Sequence, residues 1–103
     1  AGNNITNIKP FTAIKTLKYL NLTDNKIKDL TGIESLESLE ELYLTQNKVT
    51  DITPLMKMKK LKIIYLDYMK EEDLKKLRKA LPDCRINDSY YKSDKFSNVE
   101  SAI

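Results

Sequence analysis

Histidine is absent from this sequence, which also contains only one cysteine and two glycines. Without histidine the chain lacks the commonest general base and the commonest metal ligand in proteins. Its single cysteine, Cys84, cannot form an internal disulfide, and two glycines are too few for a glycine-rich phosphate-binding loop. No Ser–His or Cys–His pair and no cluster of metal ligands is present in the sequence. The sequence therefore predicts a protein that is not an enzyme and has no cofactor or metal site.

Long apolar runs and a strong net charge are missing as well. No run of roughly 18 or more apolar residues exists, so we expect no membrane insertion. A net charge of +3 is too mild to predict binding to nucleic acid. No signal peptide is visible in the first residues, 1–10. At 103 residues, the chain has room for one hydrophobic core.

What the sequence does contain is a repeat of 22 residues. Shifted by that length along itself, the stretch 17–66 places Asn25 on Asn47 and Leu42 on Ile64. The same frame runs backward through residues 3–14. Such a period is typical of a solenoid, in which each unit buries its apolar face only against its neighbours. The predicted fold class is therefore α/β, with stacked repeats over residues 1–69.

Each repeat begins with the pattern L-x-x-L-x-L-x-x-N, whose alternating leucines are typical of a half-buried strand. Asn25 and Asn47 follow two of these strands at the turn, where an amide can bond unpaired backbone groups and form a ladder. On the return leg, Thr31 and Glu34 make a capping-box pattern and Pro54 suits a first helical position. These signals predict short or 3₁₀ helices on the outer face. The three parallel strands are expected at about 19–23, 41–45 and 63–67.

The repeat breaks at Met69, where the frame expects asparagine. Leucines at 74, 77 and 81 define one apolar face of a helix over about 71–81, with acidic residues at its start and Pro82 after its end. We expect residues 70–86 to form a C-terminal cap made of this capping helix and an edge strand at 84–86. Residues 87–103 are a polar tail, in which the apolar spacing after Ser93 or Asp94 predicts a short helix.

The other end of the repeat region is expected to lie open. Residues 3–14 form the back half of a repeat whose own strand is missing, so we expect a chain truncated at its N-terminal end. Ile5, Ile8, Phe11 and Ile14 should point inward and leave an apolar end uncovered. A solenoid needs such an end covered by a capping unit. Upstream sequence in a longer parent protein would provide that cover, and homo-dimerisation through the N-terminal end is the alternative.

The frame N-x-[IV]-x-D-[IL]-T-[PG]-[LI], with the leucines that follow it, resembles the leucine-rich repeats of bacterial internalin-like proteins. Residues 47–55, NKVTDITPL, are the closest stretch, and residues 74–86 look like the C-terminal cap of bacterial leucine-rich-repeat proteins. The resemblance covers residues 3–86. It implies a right-handed solenoid with a short concave parallel sheet, on an exported or cell-surface bacterial protein that binds other proteins. A cytoplasmic location is the alternative.

Side chains between the strand leucines are expected to project from the concave face toward a partner protein. The tyrosines at 43 and 65 fall in one column across the strands, beside an isoleucine at 63 that has no structural reason to face water. Such rigid aromatic groups often anchor interfaces, although they also stabilise a sheet by cross-strand contact. The predicted partner-binding residues are Tyr19, Asn21, Glu41, Tyr43, Thr45, Ile63, Tyr65, Asp67 and Tyr68.

Two other functions stay open on the sequence alone. In the first, the repeats are a regulatory or targeting segment of a larger enzyme, which the full-length gene product would reveal. In the second, lysines 57, 59, 60 and 62, together with the basic helix, dock an anionic polymer or lipid headgroups, and added salt would weaken that binding. The simpler interpretation of these charges is a solvated surface.

Overall fold

The computed structural model describes residues 4–67 and 69–88 of the chain. Its strands make one parallel sheet in sequence order, and short helices lie between them along the chain. The strands are β1 (Tyr19–Asn21), β2 (Glu41–Tyr43), β3 (Ile63–Leu66) and β4 (Arg85–Asp88). Three 3₁₀ helices span Lys9–Phe11, Ile33–Ser35 and Thr53–Lys57, and one α-helix, α1, spans Glu71–Ala80.

The register of the sheet follows the 22-residue repeat. Leu42 of β2 pairs with Leu20 of β1 on one side and with Ile64 of β3 on the other. Ile86 of β4 continues the same row. The predicted stacking of repeats is confirmed. The first two strands end earlier than predicted, at Asn21 and Tyr43. The chain turns after them at Asp24 and Gln46, which adopt left-handed backbone conformations with φ of 60°.

The hydrophobic core consists of the leucine and isoleucine positions that recur in each repeat. Leu30, Leu36, Leu42, Leu55 and Ile64 are completely buried. Each removes its side chain from water by packing between the sheet and the 3₁₀ helices, a burial worth roughly 1.5–3 kcal/mol per side chain. The helices of neighbouring repeats also pack on one another, and α1 packs against the helix at Thr53–Lys57.

The predicted asparagine ladder forms beside the sheet. Asn47 accepts a hydrogen bond from the backbone N–H of Ile27 at 2.9 Å, and Asn25 accepts one from Ile5 at 3.2 Å. The amide nitrogen of Asn47 donates to the carbonyls of Leu22 at 2.8 Å and of Leu44 at 3.1 Å. Each asparagine thus connects its own repeat to the preceding one.

The predicted capping box at Thr31 and Glu34 is wrong. The second 3₁₀ helix has Gly32 as its N-cap, with φ of 91° and no side-chain hydrogen bond at the cap. Thr31 instead donates through its backbone N–H and its hydroxyl to Oδ1 of Asp29, in an Asx turn that precedes the helix. Pro54 does lie in the first turn of its helix, as expected.

The helix and the edge strand predicted after the repeats are both present. In α1, Leu74 and Leu77 are buried, and the strand expected at 84–86 runs over Arg85–Asp88 and pairs with β3. Met69, in the slot of the missing ladder asparagine, is buried as an apolar residue. The capping role of α1 and the division of the chain at residues 69 and 86 stay predictions. The short helix predicted in the tail lies outside the described residues.

The inward orientation expected at the N-terminal end holds for only part of it. Ile8 is fully buried, and Ile5 and Phe11 pack partly buried against the core. Ile14 is 45% exposed, so the prediction that it points inward is wrong. Its counterpart in the next repeat, Leu36, is completely buried. A solenoid position is covered by the repeats on both of its sides, and no strand precedes Ile14 within the described residues.

Candidate functional site

Two columns of side chains cross the face of the sheet opposite the core, which we call the open face. Residues that are paired in the parallel register lie next to each other on neighbouring strands, and alternate residues along each strand share this face. The predicted columns of three residues are present, and β4 adds a fourth member to each. The columns are Tyr19–Glu41–Ile63–Arg85 and Asn21–Tyr43–Tyr65–Asn87.

The centre of the open face is a stack of three tyrosine rings. The rings of Tyr43 and Tyr65 lie 4.8 Å apart between centroids and are inclined by 21°. Tyr19, from the neighbouring column, places its ring 5.3 Å from that of Tyr43 at an angle of 44°. Because each ring limits the rotation of the next, the stack presents a rigid apolar surface. The contact with Tyr19 extends the expected pair to three.

Polar contacts hold the tyrosine stack in place. The hydroxyl of Tyr43 donates to the Glu41 carboxylate at 2.9 Å. This hydrogen bond, and secondarily burial, raises the pKa of Tyr43 above its ordinary value of 10.0. The Asn21 side-chain amide donates to the Tyr19 hydroxyl at 3.4 Å. The stack therefore carries fixed polar groups beside its aromatic surface, a combination found at many protein interfaces.

Ile63 is less accessible than its position in the sequence implied. It is half-buried rather than exposed, because Glu41 and Arg85 flank it on the neighbouring strands. Tyr19, by contrast, is 53% exposed, so its ring is more accessible to a partner than the side chain of Ile63. The accessible apolar surface of the open face thus lies toward β1.

The turn end of the open face is polar. The hydroxyl of Thr45 donates to that of Thr23 at 3.3 Å, and the backbone N–H of Gln46 donates to Oδ2 of Asp67 at 2.8 Å. Oδ1 of Asp67 is buried and has no hydrogen-bond partner within residues 4–67 and 69–88. Tyr68, the remaining predicted site residue, lies outside the described residues.

Arg85 and Asn87 belong to the open face but were not predicted as site residues. Both were visible in the sequence, since a shift of 22 residues carries Ile63 onto Arg85 and Tyr65 onto Asn87. The interpretation of residues 70–86 as a cap, and of 87 onward as a tail, ended the columns one strand early.

The described part of the chain offers neither a metal-ligand cluster nor an activated thiol. Residues 4–67 and 69–88 contain no cluster of three or more residues able to hold a metal ion. Burial raises the pKa of the half-buried Cys84 thiol to about 11, so the thiol is protonated at neutral pH and is a poor nucleophile. In the same ranges, no helix has the length and apolar character needed to cross a bilayer.

Comparison with protein families accounts for this architecture. A family model described as "Leucine rich repeat" matches residues 1–49, and a second, described as "Leucine Rich repeats (2 copies)", matches residues 37–79. The search among curated proteins gives no match. Residues 1–79 are therefore matched as leucine-rich repeats, and the parallel sheet with its short helices fits a leucine-rich-repeat solenoid. Such repeats are typically non-enzymatic modules that mediate protein–protein interaction.

Proposed function

We propose that this domain binds a protein partner through the open face of its sheet, with Tyr19, Tyr43 and Tyr65 as the central anchor. The observation that carries the proposal is the ring stack, whose centroids are 5.3 and 4.8 Å apart. A stack that is already ordered loses little side-chain entropy when a partner covers it. Aromatic anchors of this kind supply much of the binding energy at protein interfaces.

The remaining predicted residues fit the border of such an interface. Asn21 is exposed, and Glu41, Thr45, Ile63 and Asp67 are partly accessible around the rings. Arg85 adds one positive charge beside Ile63, opposite the negative charge of Glu41. Charged groups at the edge of an interface favour the correct partner and orientation more than they add affinity.

The test replaces two rings of the anchor. Tyr43→Ala with Tyr65→Ala should weaken partner binding by about 30-fold, the effect of losing roughly 2 kcal/mol at an interface hot spot. Quantitative affinity capture from the native environment compares this variant with the unmodified chain. The control, Glu37→Ala with Lys60→Ala, changes two exposed residues away from the strands.

Circular dichroism must show that both double variants remain folded. A protein captured by the unmodified chain and by the control, but lost with the tyrosine variant, supports the proposal. Equal capture of the same proteins by all three would contradict it.

We further propose that the parent is an exported or cell-surface bacterial protein of the internalin-like type, with a right-handed solenoid that α1 caps. The supporting feature is the repeat frame itself, above all residues 47–55. A signal peptide and a wall anchor in the full-length gene product would agree with this proposal. A catalytic domain beside the repeats would favour the regulatory alternative.

Homo-dimerisation through the N-terminal end also stays a proposal. Ile14 and Tyr19, both at this end, are the exposed large apolar residues of the described chain, and β1 is an edge strand. Light scattering tests it directly. A monomer mass at high concentration would rule the dimer out.

A further inference from the structure

A second surface of the molecule is a basic pocket beside the asparagine ladder, away from the tyrosine stack. Its cavity volume is about 530 Å³, and we call it the ladder pocket. Three lysines and three side-chain amides line it, and no carboxylate does. The lining residues are Asn25, Lys26, Lys28, Gln46, Asn47 and Lys48.

The backbone brings the three lysines to one cavity. Lys26 and Lys28 flank the fully buried Ile27 in an extended segment, so both side chains leave the core on the same side. The N–H of Lys48 donates to the carbonyl of Ile27 at 3.1 Å, which fixes the next repeat directly against this segment. The stacking of consecutive repeats therefore brings Lys48 beside Lys26 and Lys28.

The floor of the pocket is rigid. Asn25 and Asn47 are buried and are fixed by the ladder hydrogen bonds to backbone groups of two repeats. Gln46 has a left-handed backbone conformation, with φ of 60°, and its N–H is held by Asp67. A cavity with a rigid polar floor and flexible lysine side chains around it suits an anionic ligand.

In the described part of the chain, the side chains of the three pocket lysines are not committed to protein partners. Within residues 4–67 and 69–88, none of the three makes an ion pair or a side-chain hydrogen bond. In contrast, Lys62 pairs with Glu40 at 3.5 Å, and Lys59 donates to the carbonyl of Ala80 at 2.6 Å. The nearby Asp29 carboxylate does not line the pocket and accepts hydrogen bonds from Thr31.

A second groove on the molecule gives a matched comparison. It is lined by the same number of lysines, Lys57, Lys59 and Lys60, but also by Glu34 and Glu37, and its cavity volume is about 240 Å³. The formal charge of that lining is thus +1, from three lysines and two carboxylates, whereas the ladder pocket carries +3 from three lysines. No carboxylate in the lining of the ladder pocket offsets its positive charge.

We propose that the ladder pocket binds a small molecule with two or more phosphate groups. Lysine ammonium groups are compact point charges that bind phosphate oxygens well, and the side-chain amide of Gln46 can add a hydrogen bond. A volume of about 530 Å³ lies in the range of small-molecule sites and exceeds what a single phosphate would fill. This binding is independent of the partner interface on the open face.

The test titrates inorganic pyrophosphate into the whole chain at low ionic strength, followed by ¹H–¹⁵N NMR and calorimetry. Saturable shifts should concentrate at the amides of residues 25–28 and 46–48. Lys26→Gln with Lys48→Gln should weaken binding about tenfold, which corresponds to two partly solvated ion pairs, while Lys57→Gln with Lys60→Gln should change it less than about twofold. Raising the salt to roughly 0.3 M should also weaken binding, because the site is open to solvent.

Three outcomes would overturn the inference. Shifts that do not saturate, or that spread over all lysines, would mean a diffuse response to charge. Equal losses in the two double variants would remove the special role of the ladder pocket. Inorganic phosphate binding as tightly as pyrophosphate would reject a ligand with more than one phosphate group. Because Tyr43 and Tyr65 are untouched in these variants, failure here leaves the proposed partner interface unaffected.

Discussion

The buried asparagine amides contribute to this fold in a way that no apolar residue could. Asn47 is only 3% exposed, yet its side chain serves backbone groups of two repeats, accepting from Ile27 and donating to Leu22, Leu44 and Thr45. These groups lie where the chain turns out of the sheet and lose their strand partners. Buried backbone groups that lack a partner destabilise a protein, so the ladder amide satisfies a requirement of the turn itself.

Replacing Asn47 with alanine should therefore lower the free energy of unfolding by about 3 kcal/mol, because a buried donor and several acceptors lose their partner. Asn47→Asp should also destabilise, since a carboxylate would face the carbonyl oxygens of Leu22 and Leu44. The control Asn21→Ala removes an exposed amide from β1 and should cost less than about 1 kcal/mol. Urea denaturation at neutral pH measures all three variants. A similar cost for Asn21→Ala and Asn47→Ala would contradict the special role of the ladder.

Individual residue positions were predictable where the repeat frame fixes them. Leu42, Ile64 and Asn47 occupy slots whose neighbours are supplied by identical slots one repeat away, so the frame alone determined their environment. The prediction that Ile14 points inward was wrong because burial in a solenoid depends on repeats packed on both sides. The residue pattern does not show whether a second repeat packs against Ile14. The contact between Tyr19 and Tyr43 was also missed, because it joins different columns and depends on how the side chains lean.

Among the elements, the short helices on the return leg depend on the turns that precede them. In two successive repeats an aspartate two residues before a threonine accepts hydrogen bonds from that threonine, Asp29 from Thr31 and Asp51 from Thr53. The threonine hydroxyl is the first cause of the lowered pKa of each carboxyl, below the ordinary value of 3.8. The ionised form of each aspartate is thus stabilised in the folded state.

This arrangement predicts the pH dependence of stability. A carboxyl whose pKa is lower in the folded chain stabilises the protein fully above its unfolded pKa, and that contribution disappears as the pH falls through the lowered folded pKa. In the double variant Asp29→Asn with Asp51→Asn, the free energy of unfolding should therefore decrease less than in the unmodified chain as the pH is lowered from about 5 to about 2. Denaturant titrations across that range measure the effect.

A matched control for this experiment is Asp24→Asn with Asp83→Asn. It removes two exposed carboxylates that accept no hydrogen bond from a threonine within the described residues. This control should keep the acid dependence of the unmodified chain. An equal flattening in both double variants would mean that net charge, and not the Asx turns, sets the acid response.

Most of the elements themselves could be predicted, but their boundaries and caps could not. The alternating leucines correctly predicted the strands, and the leucines at 74, 77 and 81 correctly predicted α1. The turns after β1 and β2 contain left-handed residues at Asp24 and Gln46. Glutamine rarely adopts this conformation, so the sequence gives little sign of the second turn. The prediction of a capping box was wrong because Thr31 donates to the Asp29 carboxylate, and Gly32, which follows Thr31, is the N-cap of the helix.

At the scale of the whole molecule, we expect the repeats to unfold as one cooperative unit, because core residues of neighbouring strands are paired in register. Leu42 lies in register between Leu20 and Ile64, and the ladder amides cross the same boundaries. The same stacking creates both candidate surfaces, since it aligns the tyrosines on the open face and the lysines around the ladder pocket. A solenoid whose units interact only with nearest neighbours transmits a local loss to the adjacent repeats.

Leu42→Ala tests that cooperativity. Removing a completely buried leucine from the central boundary should cost about 2–5 kcal/mol, the range for large cavities in a core. Hydrogen exchange should report a similar loss of protection in β1 and in β4, although neither strand contains the substitution. The control Leu42→Ile keeps the side-chain volume and should cost less than about 1.5 kcal/mol. If exchange accelerates only in β2 while β4 keeps its protection, the repeats unfold separately, and the open face would then be a mobile surface and not the rigid one that partner binding requires.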